Sequence, residues 1–270
     1  LVEANMNQLA EMLSAEHGKV IADSKGDIQR GLEVIEFCCG IPHVLKGEYT
    51  QGAGPGIDVY SMRQPLGIGA GITPFNFPAM VPLWMFPMAI ACGNTFVLKP
   101  SEQDPMVTMR LVELALEAGI PKGVLNVVHG GEEVVNAICD HPDIKAVSFV
   151  GSTRVGTHVY NRASLAGKRV QCMMGAKNHA VVLPDANKEQ TLNAMVGAAF
   201  GAAGQRCMAA STLVLVGEAR GWVQDLVEKA KTLKVSGGTV AGTDVGPVIS
   251  CSARERVEGL IASGVEQGAK

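Results

Sequence analysis

The sequence lacks the features that mark several large classes of protein. Its seven cysteines form an odd, scattered set without a C-x-x-C pair, which argues against both a disulfide framework and a structural zinc site. Its six histidines lie far apart in the chain, so we expect no metal ion. The formal net charge is only -3 and no basic run occurs, so the sequence offers no basic patch of the kind that binds nucleic acid or an anionic membrane.

Charged residues are also missing between Arg63 and Lys99, a stretch long enough to raise the question of a membrane span. Prolines 65, 74, 78, 82 and 87 interrupt it. A continuous apolar helix of about 20 residues cannot form across them. We therefore expect the wall of a buried crevice and no membrane association.

The 270 residues suffice for one large domain or two modest ones. Apolar stretches with strand character alternate with helical patterns, which predicts an α/β fold with a parallel sheet covered on both faces. The predicted strands are 57–64, 66–72, 95–99, 125–129, 146–150 and 211–216. Helices are predicted in the first 40 residues (two, separated near Asp23–Asp27), from an N-cap at Asp104 to a stop at Gly119, over 132–140, over 188–199, and near 221–233 and 252–263. Both ends of the chain look cut.

Open parallel sheets bind ligands beyond the carboxyl ends of their strands, so a phosphate-binding site is expected in the loops that follow the strands. The G-x-G-x-x-G fingerprint is absent, but Gly151 follows a predicted strand, and Ser152 and Thr153 open a helix in "FVGSTRVG". The free N–H groups of such a helix start can hold a pyrophosphate. A capped helix start without a ligand is the alternative interpretation.

The segment "VLKPSE" is a second candidate for holding a nucleotide. Lys99 ends a buried strand and Glu102 follows three residues later, so the two could grip a ribose from two sides. An ordinary solvated strand end is the alternative.

Cys207 stands in "FGAAGQRCMAAS" among alanines and glycines, directly after Arg206. Gly201 and Gly204 permit a tight backbone there. A neighbouring positive charge, together with a helix start predicted after the cysteine, would lower the thiol pKa and favour a nucleophilic thiolate. A small apolar filler is the alternative, as for the other six cysteines.

Four motifs occur together in one order: "TPFNFP" (73–78), "VLKPSE" (97–102), "FVGSTRVG" (149–156) and "GQRC" (204–207). In this arrangement the chain resembles the NAD-dependent aldehyde dehydrogenase superfamily. Longer strings, among them "MMGAKNHAVVLPDANKEQTLN" and "GAAFGAAGQRCMA", resemble its CoA-acylating branch. The resemblance covers essentially the whole chain.

The resemblance implies an aldehyde-dehydrogenase-like α/β fold with a Rossmann-type NAD domain and a truncated catalytic domain. Residues 1–184 would hold N-terminal helices, oligomerisation strands and the NAD domain, and 185–270 the first part of the catalytic domain. It implies a homo-oligomer, a dimer of dimers, for the full-length protein. The string "MMGAKNHAVV" resembles bacterial members, which favours the bacterial cytosol as the compartment of the protein. The mitochondrial matrix is the alternative for a eukaryotic protein.

The resemblance also assigns site residues. Cys207 would be the nucleophile, and Asn76 would donate to the oxyanion, a contact whose loss typically costs about 3–4 kcal/mol of transition-state stabilisation. Arg206 and Arg30 would hold a carboxylate of the substrate. The residues that would bind NAD are Thr73, Phe75, Lys99, Glu102, Gln103, Ser152 and Met174.

One position departs from the pattern of hydrolytic members, which carry a water-activating glutamate where this chain has Met173. A thioether cannot take a proton, and water, with a pKa of about 15.7, is a poor nucleophile without a base. A thiol with a pKa of about 8.5 needs far less help. Met173 therefore favours transfer of the acyl group to the thiol of coenzyme A.

The implied reaction oxidises methylmalonate or malonate semialdehyde with NAD and CoA, releases carbon dioxide, and gives propionyl-CoA or acetyl-CoA, as in valine and inositol breakdown. Two other hypotheses stay open. One is a hydrolytic aldehyde dehydrogenase with a substitute base. The other is a catalytically incomplete chain that binds NAD weakly or serves assembly only.

Overall fold

The computed structural model describes residues 1–269, and helices and strands alternate over residues 68–173. The helices are α1 (Met6–His17), α2 (Ile21–Cys39), α3 (Ile41–Val44), α4 (Met80–Ala91), α5 (Met106–Glu117), α6 (Glu132–Asp140), α7 (Thr153–Leu165), α8 (Lys188–Phe200), α9 (Val223–Lys231) and α10 (Cys251–Glu266). The strands are β1 (Tyr49–Gly54), β2 (Ile57–Tyr60), β3 (Ile68–Ile72), β4 (Thr95–Lys99), β5 (Leu125–Val127), β6 (Ile144–Val150), β7 (Arg169–Met173), β8 (Asn178–Val182) and β9 (Ala210–Leu215).

The chain divides into two compact units. The first contains residues 1–6 and 26–174, and the second contains residues 7–25 and the chain from Gly175 onward. Helix α2 begins in the second unit and continues into the first. The functional domain boundary predicted after residue 184 stays a prediction.

The first unit is built on a five-stranded sheet in the order β5-β4-β3-β6-β7, and every pairing in it is parallel. The predicted parallel sheet is confirmed. Parallel strands need long crossovers, and here helices α4 to α7 supply them. Strands β1 and β2 pair separately as an antiparallel hairpin.

The central strand β3 shows why helices cover both faces of the sheet. Ala70 and Ile72 join a buried cluster with residues of β6, α6 and α7 on one face. Gly69 and Gly71 alternate onto the other face. A Cβ at Gly71 would lie 2.8 Å from Met85 Sδ, so the missing side chain lets helix α4 approach the strand closely.

Helix α2 packs against α4 through another glycine. A Cβ built at Gly31 would lie 3.0 Å from Leu83 Cβ, and Leu83 is fully buried. Gly26, five residues earlier in the same helix, has nothing within 4 Å of such a Cβ. The two glycines of one helix therefore have different reasons to be there.

The second unit contains α1, the start of α2, the parallel pair β8–β9, and helices α8 to α10. Helix α8 contacts both α9 and β9. The turn between α1 and α2 is buried: a Cβ at Gly18 would lie 2.9 Å from Pro247 Cγ. His17 and Lys19 beside it are each 1% exposed, and the backbone N–H of Lys19 donates to His17 Nδ1 at 3.2 Å.

Two predictions about helix ends are wrong. The first two helices separate at Gly18, whose φ of +94° ends α1, while Asp23–Asp27 lies inside α2. Helix α5 begins at Met106 with Pro105 in the N-cap position, one residue later than predicted. Strands β1, β7 and β8 were not predicted, because their burial is partial and their apolar signal is weak.

We expect Gly31→Ala to destabilise the protein by about 1–2 kcal/mol, because the new methyl group overpacks against Leu83. Gly26→Ala is the matched control in the same helix. It should gain up to about 1 kcal/mol, since alanine is the better helix former. Urea unfolding followed by circular dichroism measures both, and equal effects at the two positions would contradict the packing argument.

The pH dependence of stability should carry a contribution from His17. Burial, reinforced by the charge of Lys19, lowers the pKa of His17 from 6.5 to about 3. Between these values the unfolded state binds a proton that the folded state does not, so stability falls as the pH drops below 6.5. The slope is about 1.4 kcal/mol per pH unit.

The measurement is urea unfolding of the wild type and of His17→Gln between pH 7 and pH 5. The free-energy difference between them should shrink as the pH falls, because only the wild type has this histidine to protonate. His43→Gln, which removes an exposed histidine, controls for the substitution itself. A pH-independent difference for His17→Gln would be the contrary result.

Candidate active site

The carboxyl edge of the parallel sheet in the first unit collects most of the predicted site residues. In the strand register, Ile72 lies opposite Lys99 on one side and opposite Phe149 on the other. The loops after these three strands therefore leave the sheet side by side. Thr73, Phe75 and Asn76 follow β3, Lys99, Glu102 and Gln103 lie at or beyond the end of β4, Ser152 follows β6, and Met174 follows β7.

Strand order at this edge is the kind at which open parallel sheets bind ligands. From β3 the chain moves outward to β4 and β5, and then returns to place β6 on the opposite side of β3. Crossover connections on the two sides of β3 thus run in opposite directions, and such a switch point between β3 and β6 is where this class of sheet usually binds its ligand.

Lys99 and Glu102 form a half-buried ion pair at this edge. The Lys99 side chain is 4% exposed, and its Nζ lies 3.2 Å from Glu102 Oε2 and donates to the Pro100 carbonyl at 2.7 Å. Burial alone would raise the pKa of Glu102, but hydrogen bonds from its own backbone and from Lys99, with the charge of Lys99, bring it below the ordinary value. The pair thus presents a fixed carboxylate and a fixed ammonium.

Helix α7 begins at the same edge. Ser152 is its N-cap and accepts a hydrogen bond from the Val155 N–H at 3.4 Å. No acidic residue occupies the first turn, so the positive end of the helix faces no negative side chain of its own. A Cβ at Gly156 would lie 2.8 Å from Met174 Sδ, so this glycine permits the close packing of α7 on the end of β7.

The loop that carries Asn76 is anchored at its far end by two buried side chains. Asp27 Oδ1 accepts a hydrogen bond from the Met80 N–H at 2.7 Å, where α4 begins. Thr108 donates its hydroxyl to the Pro78 carbonyl at 2.6 Å. Asp27 and Thr108 are 2% and 0% exposed, so both contacts are shielded from water and fix the loop to α2 and α5.

Cys207 lies in the second unit, in a half-buried turn between a 3₁₀ segment (Gly201–Gly204) and strand β9. The Asn178 amide donates to the carbonyls of Cys207 at 2.8 Å and Ala209 at 3.0 Å. The Gln205 side chain donates to the Ala202 carbonyl and accepts from the Ile249 N–H. The turn is therefore tied to β8 and to the segment before α10.

The backbone before the cysteine is strained. Ala202 and Ala203 have φ values of 50° and 54°, the left-handed region that costs a non-glycine residue roughly 1–2 kcal/mol. Gly204 continues the left-handed run with a φ of 74°. Such strain persists only where surrounding contacts determine the backbone, and it concentrates at functional sites.

Arg206 folds back onto this strained segment. Its Nη2 lies 2.7 Å from Asp23 Oδ2, and its Nη1 donates to the Gly197 carbonyl at 3.3 Å. A Cβ at Gly201 would overlap the guanidinium, so only glycine leaves room for it. Asp23 Oδ2 also accepts the Ala202 N–H at 3.1 Å.

Comparison with known proteins decides the family. The model of the aldehyde dehydrogenase family matches residues 1–270. The chain belongs to the aldehyde dehydrogenase family. It is 59% identical over 270 residues to the acylating, mitochondrial methylmalonate-semialdehyde dehydrogenase of Arabidopsis thaliana, and 56% identical over 269 residues to the acylating, mitochondrial methylmalonate-semialdehyde/malonate-semialdehyde dehydrogenase of Homo sapiens.

The chain spans about half the length of the curated relatives it matches: all of it is covered, against 44% of the Arabidopsis protein and 50% of the human protein. Solved structures give the same result. A Sinorhizobium meliloti 1021 protein complexed with NAD has a TM-score of 0.96 at 59% identity, covering 100% of this chain and 55% of that one. Methylmalonate-semialdehyde dehydrogenase from Oceanimonas doudoroffii has a TM-score of 0.95 at 51% identity, covering 99% and 55%. The predicted aldehyde-dehydrogenase-like fold is confirmed.

Within this aldehyde dehydrogenase chain, the predicted helix start after Cys207 is wrong. The Ala209 N–H donates to the Arg206 carbonyl at 3.1 Å to close a turn, and the backbone then enters β9 to pair with β8. A helix dipole therefore does not act on the thiol from that side.

Arg30 lies on the surface of α2, 70% exposed in its side chain and paired with Glu33 at 3.0 Å. Its role toward a substrate stays a prediction.

Asp23, Asp27 and Thr108 were missed by sequence reasoning about this family member. Each acts on a segment far along the chain; Asp23 and Thr108 stand in no recognisable motif, and Asp27 opens the string "DIQRGLEVIEF", which resembles the family without indicating a role for this carboxylate. Among residues 1–269, no three His, Cys, Asp or Glu side chains are grouped to hold a metal ion. In the same residues, no helix combines the length and the apolar character needed to cross a bilayer.

Because Ala203 is left-handed, alanine-to-glycine substitutions at position 203 and inside a helix should change the stability in opposite directions. Ala203→Gly should raise the free energy of unfolding by about 1 kcal/mol, since glycine adopts a positive φ without steric cost. Ala194→Gly, at an exposed site inside α8, should lower it by about 1 kcal/mol. Denaturant unfolding of both variants measures the pair, and a loss of stability at both positions would contradict the strain.

Proposed function

We propose that the complete protein oxidises methylmalonate semialdehyde and malonate semialdehyde with NAD and passes the acyl group to coenzyme A. Cys207 is the nucleophile. The relatives named for this acylating reaction support the proposal, since they match the whole chain at 56–59% identity. The family's fold alone would leave the acceptor of the acyl group open.

NAD suits the carboxyl edge of the sheet in the first unit. The start of α7 offers N–H groups to a pyrophosphate without a competing acidic side chain. Lys99 and Glu102 offer an ammonium and a carboxylate to ribose hydroxyls, while Gly156 keeps the backbone close to the sheet. Thr73, Phe75, Gln103, Ser152 and Met174 complete the expected set. When bound, NAD accepts a hydride.

Cys207 supplies the covalent chemistry. An aldehyde carbon releases a hydride only after it has become tetrahedral and carries an oxyanion. The thiolate of Cys207 adds to the carbonyl carbon and creates that centre, and the sulfur retains the acyl group as a thioester once the hydride has left. The Asn76 amide and the Cys207 backbone N–H are the expected oxyanion donors.

Arg206 and Arg30 are the proposed partners of the substrate carboxylate, because a guanidinium fork binds a carboxylate through two parallel hydrogen bonds. Loss of that carboxylate as carbon dioxide after oxidation leaves a propionyl or acetyl group. A place in valine or inositol breakdown, the dimer-of-dimers assembly and the bacterial cytosol as compartment all stay predictions.

The observation that carries the CoA assignment is the residue that ends β7. Met173 is 54% exposed and stands where hydrolytic members have a carboxylate. A thioether accepts no proton, so no base at this position activates water. A thiol, whose pKa of about 8.5 lies near neutrality, can attack the thioester as thiolate.

We expect steady-state NADH formation from methylmalonate semialdehyde by the full-length protein to depend on CoA. Without CoA the enzyme should give one burst of NADH per Cys207 and then turn over at least about tenfold more slowly. Met173→Glu should restore CoA-independent turnover, since a positioned general base contributes about 10²–10⁴-fold. Stopped-flow and steady-state absorbance measurements give burst and rate.

Two controls accompany this measurement. Met173→Gln has the size of the glutamate variant but accepts no proton at neutral pH, so it should stay dependent on CoA. Cys207→Ala should abolish the burst. Equal turnover of the wild type with and without CoA would instead favour a hydrolytic enzyme.

A further inference from the structure

We propose that Asp23 is a positioning residue for the cysteine turn, and that it sets how much of the positive charge of Arg206 is available to an anionic substrate. The proposal rests on the proposed function, since it concerns the carboxylate for which Arg206 is expected. Asp23 lies in the first turn of α2 and stands in no motif of the site.

The contacts of one oxygen carry the first half of the proposal. Asp23 Oδ2 lies 2.7 Å from Arg206 Nη2 and 3.1 Å from the Ala202 N–H. A single carboxylate thus holds the residue directly before Cys207 and the first residue of the left-handed pair. Charge-assisted hydrogen bonds of this kind are about twice as strong as neutral ones, and they help to offset the strain at Ala202 and Ala203.

The charge of the pair carries the second half. The Asp23 and Arg206 side chains are each 25% exposed, so solvent screens their attraction only in part. While the two are paired, the negative charge of Asp23 offsets part of the attraction that Arg206 exerts on a nearby anion. A substrate carboxylate must therefore compete with Asp23 for the guanidinium.

A small anion has room to reach this guanidinium. A cavity of about 370 Å³ in the second unit is lined on one side by Asp23, Gly201 and Arg206. Asp244 also lines it, but its carboxylate accepts the Lys234 N–H at 2.8 Å. Asp23 is thus the carboxylate that pairs with Arg206 in this cavity, and the one whose removal would uncover a positive charge.

The test measures alkylation of Cys207 by iodoacetate, an anion, and by iodoacetamide, its neutral counterpart, in the full-length protein. Peptide mass spectrometry resolves Cys207 from the exposed Cys251, which serves as the internal reference. The ratio of the two rates cancels changes in accessibility, so a purely structural role for Asp23 would not move it. Neither NAD nor CoA is needed, which separates this test from the test of the proposed reaction.

Asp23→Asn should raise the iodoacetate-to-iodoacetamide ratio at Cys207 about threefold or more, which is the factor expected for two unit charges about 6 Å apart in water. The ratio at Cys251 should stay constant. Adding Arg206→Gln to Asp23→Asn should return the ratio at Cys207 to the wild-type value or below. An unchanged ratio at Cys207 in folded Asp23→Asn overturns the proposal.

Asp225→Asn is the matched control, because Asp225 forms an ion pair of the same length, 2.7 Å, with Lys188 in the same unit. It should leave the ratio at Cys207 unchanged, and an equal rise in this variant would also overturn the proposal. If Asp23→Asn does not fold, the comparison is made in an Ala203→Gly background, where the left-handed strain is relieved. There the same rise is expected, and its absence counts against Asp23.

Discussion

Parallel pairing of strands is the constraint on which the first unit depends. Because each strand enters the sheet from the same edge, every strand also leaves it at the same edge, however far apart the strands are in sequence. Lys99, Ser152 and Asn76 belong to segments dozens of residues apart, yet the register of β3 with β4 and β6 brings their loops to one edge. Chemistry specified in short local motifs is thereby gathered without any motif encoding its neighbours.

Close packing around β3 turns that edge into a defined surface. Gly69 and Gly71 remove the side chains from one face of the central strand, so α4 can lie near enough for Met85 to contact it. The start of α4 is then fixed by Asp27, whose carboxylate accepts an N–H at the positive end of the helix. Because this N–H follows the Asn76 loop directly, the position of the loop depends on the packing of α2.

The sequence predicted the parts of the molecule that local patterns determine. The strands β3, β4, β5 and β6 and the loops after them were predicted because apolar runs, glycines and prolines lie next to one another in the chain. Asp27 acts on a residue 53 positions away and Asp23 on one 179 positions away, so no window of sequence contains both partners. The helix expected after Cys207 failed for a related reason: pairing with β8, a long-range contact, draws the backbone into a strand.

The cysteine turn shows why alanines, and not glycines, occupy its strained positions. Glycine at 202 and 203 would adopt the left-handed conformation without steric cost, but it would also make many other conformations accessible to the turn. With alanine, contacts from Asp23, Asn178 and Gln205 must hold the backbone against strain of a few kcal/mol, and few alternative conformations compete. A nucleophile gains from such restriction, because a displacement of about 1 Å can cost about 10²-fold in rate. The turn thus exchanges stability for a fixed position of Cys207, and two of the three residues that maintain this exchange, Asp23 and Asn178, lie outside the motif that contains the cysteine.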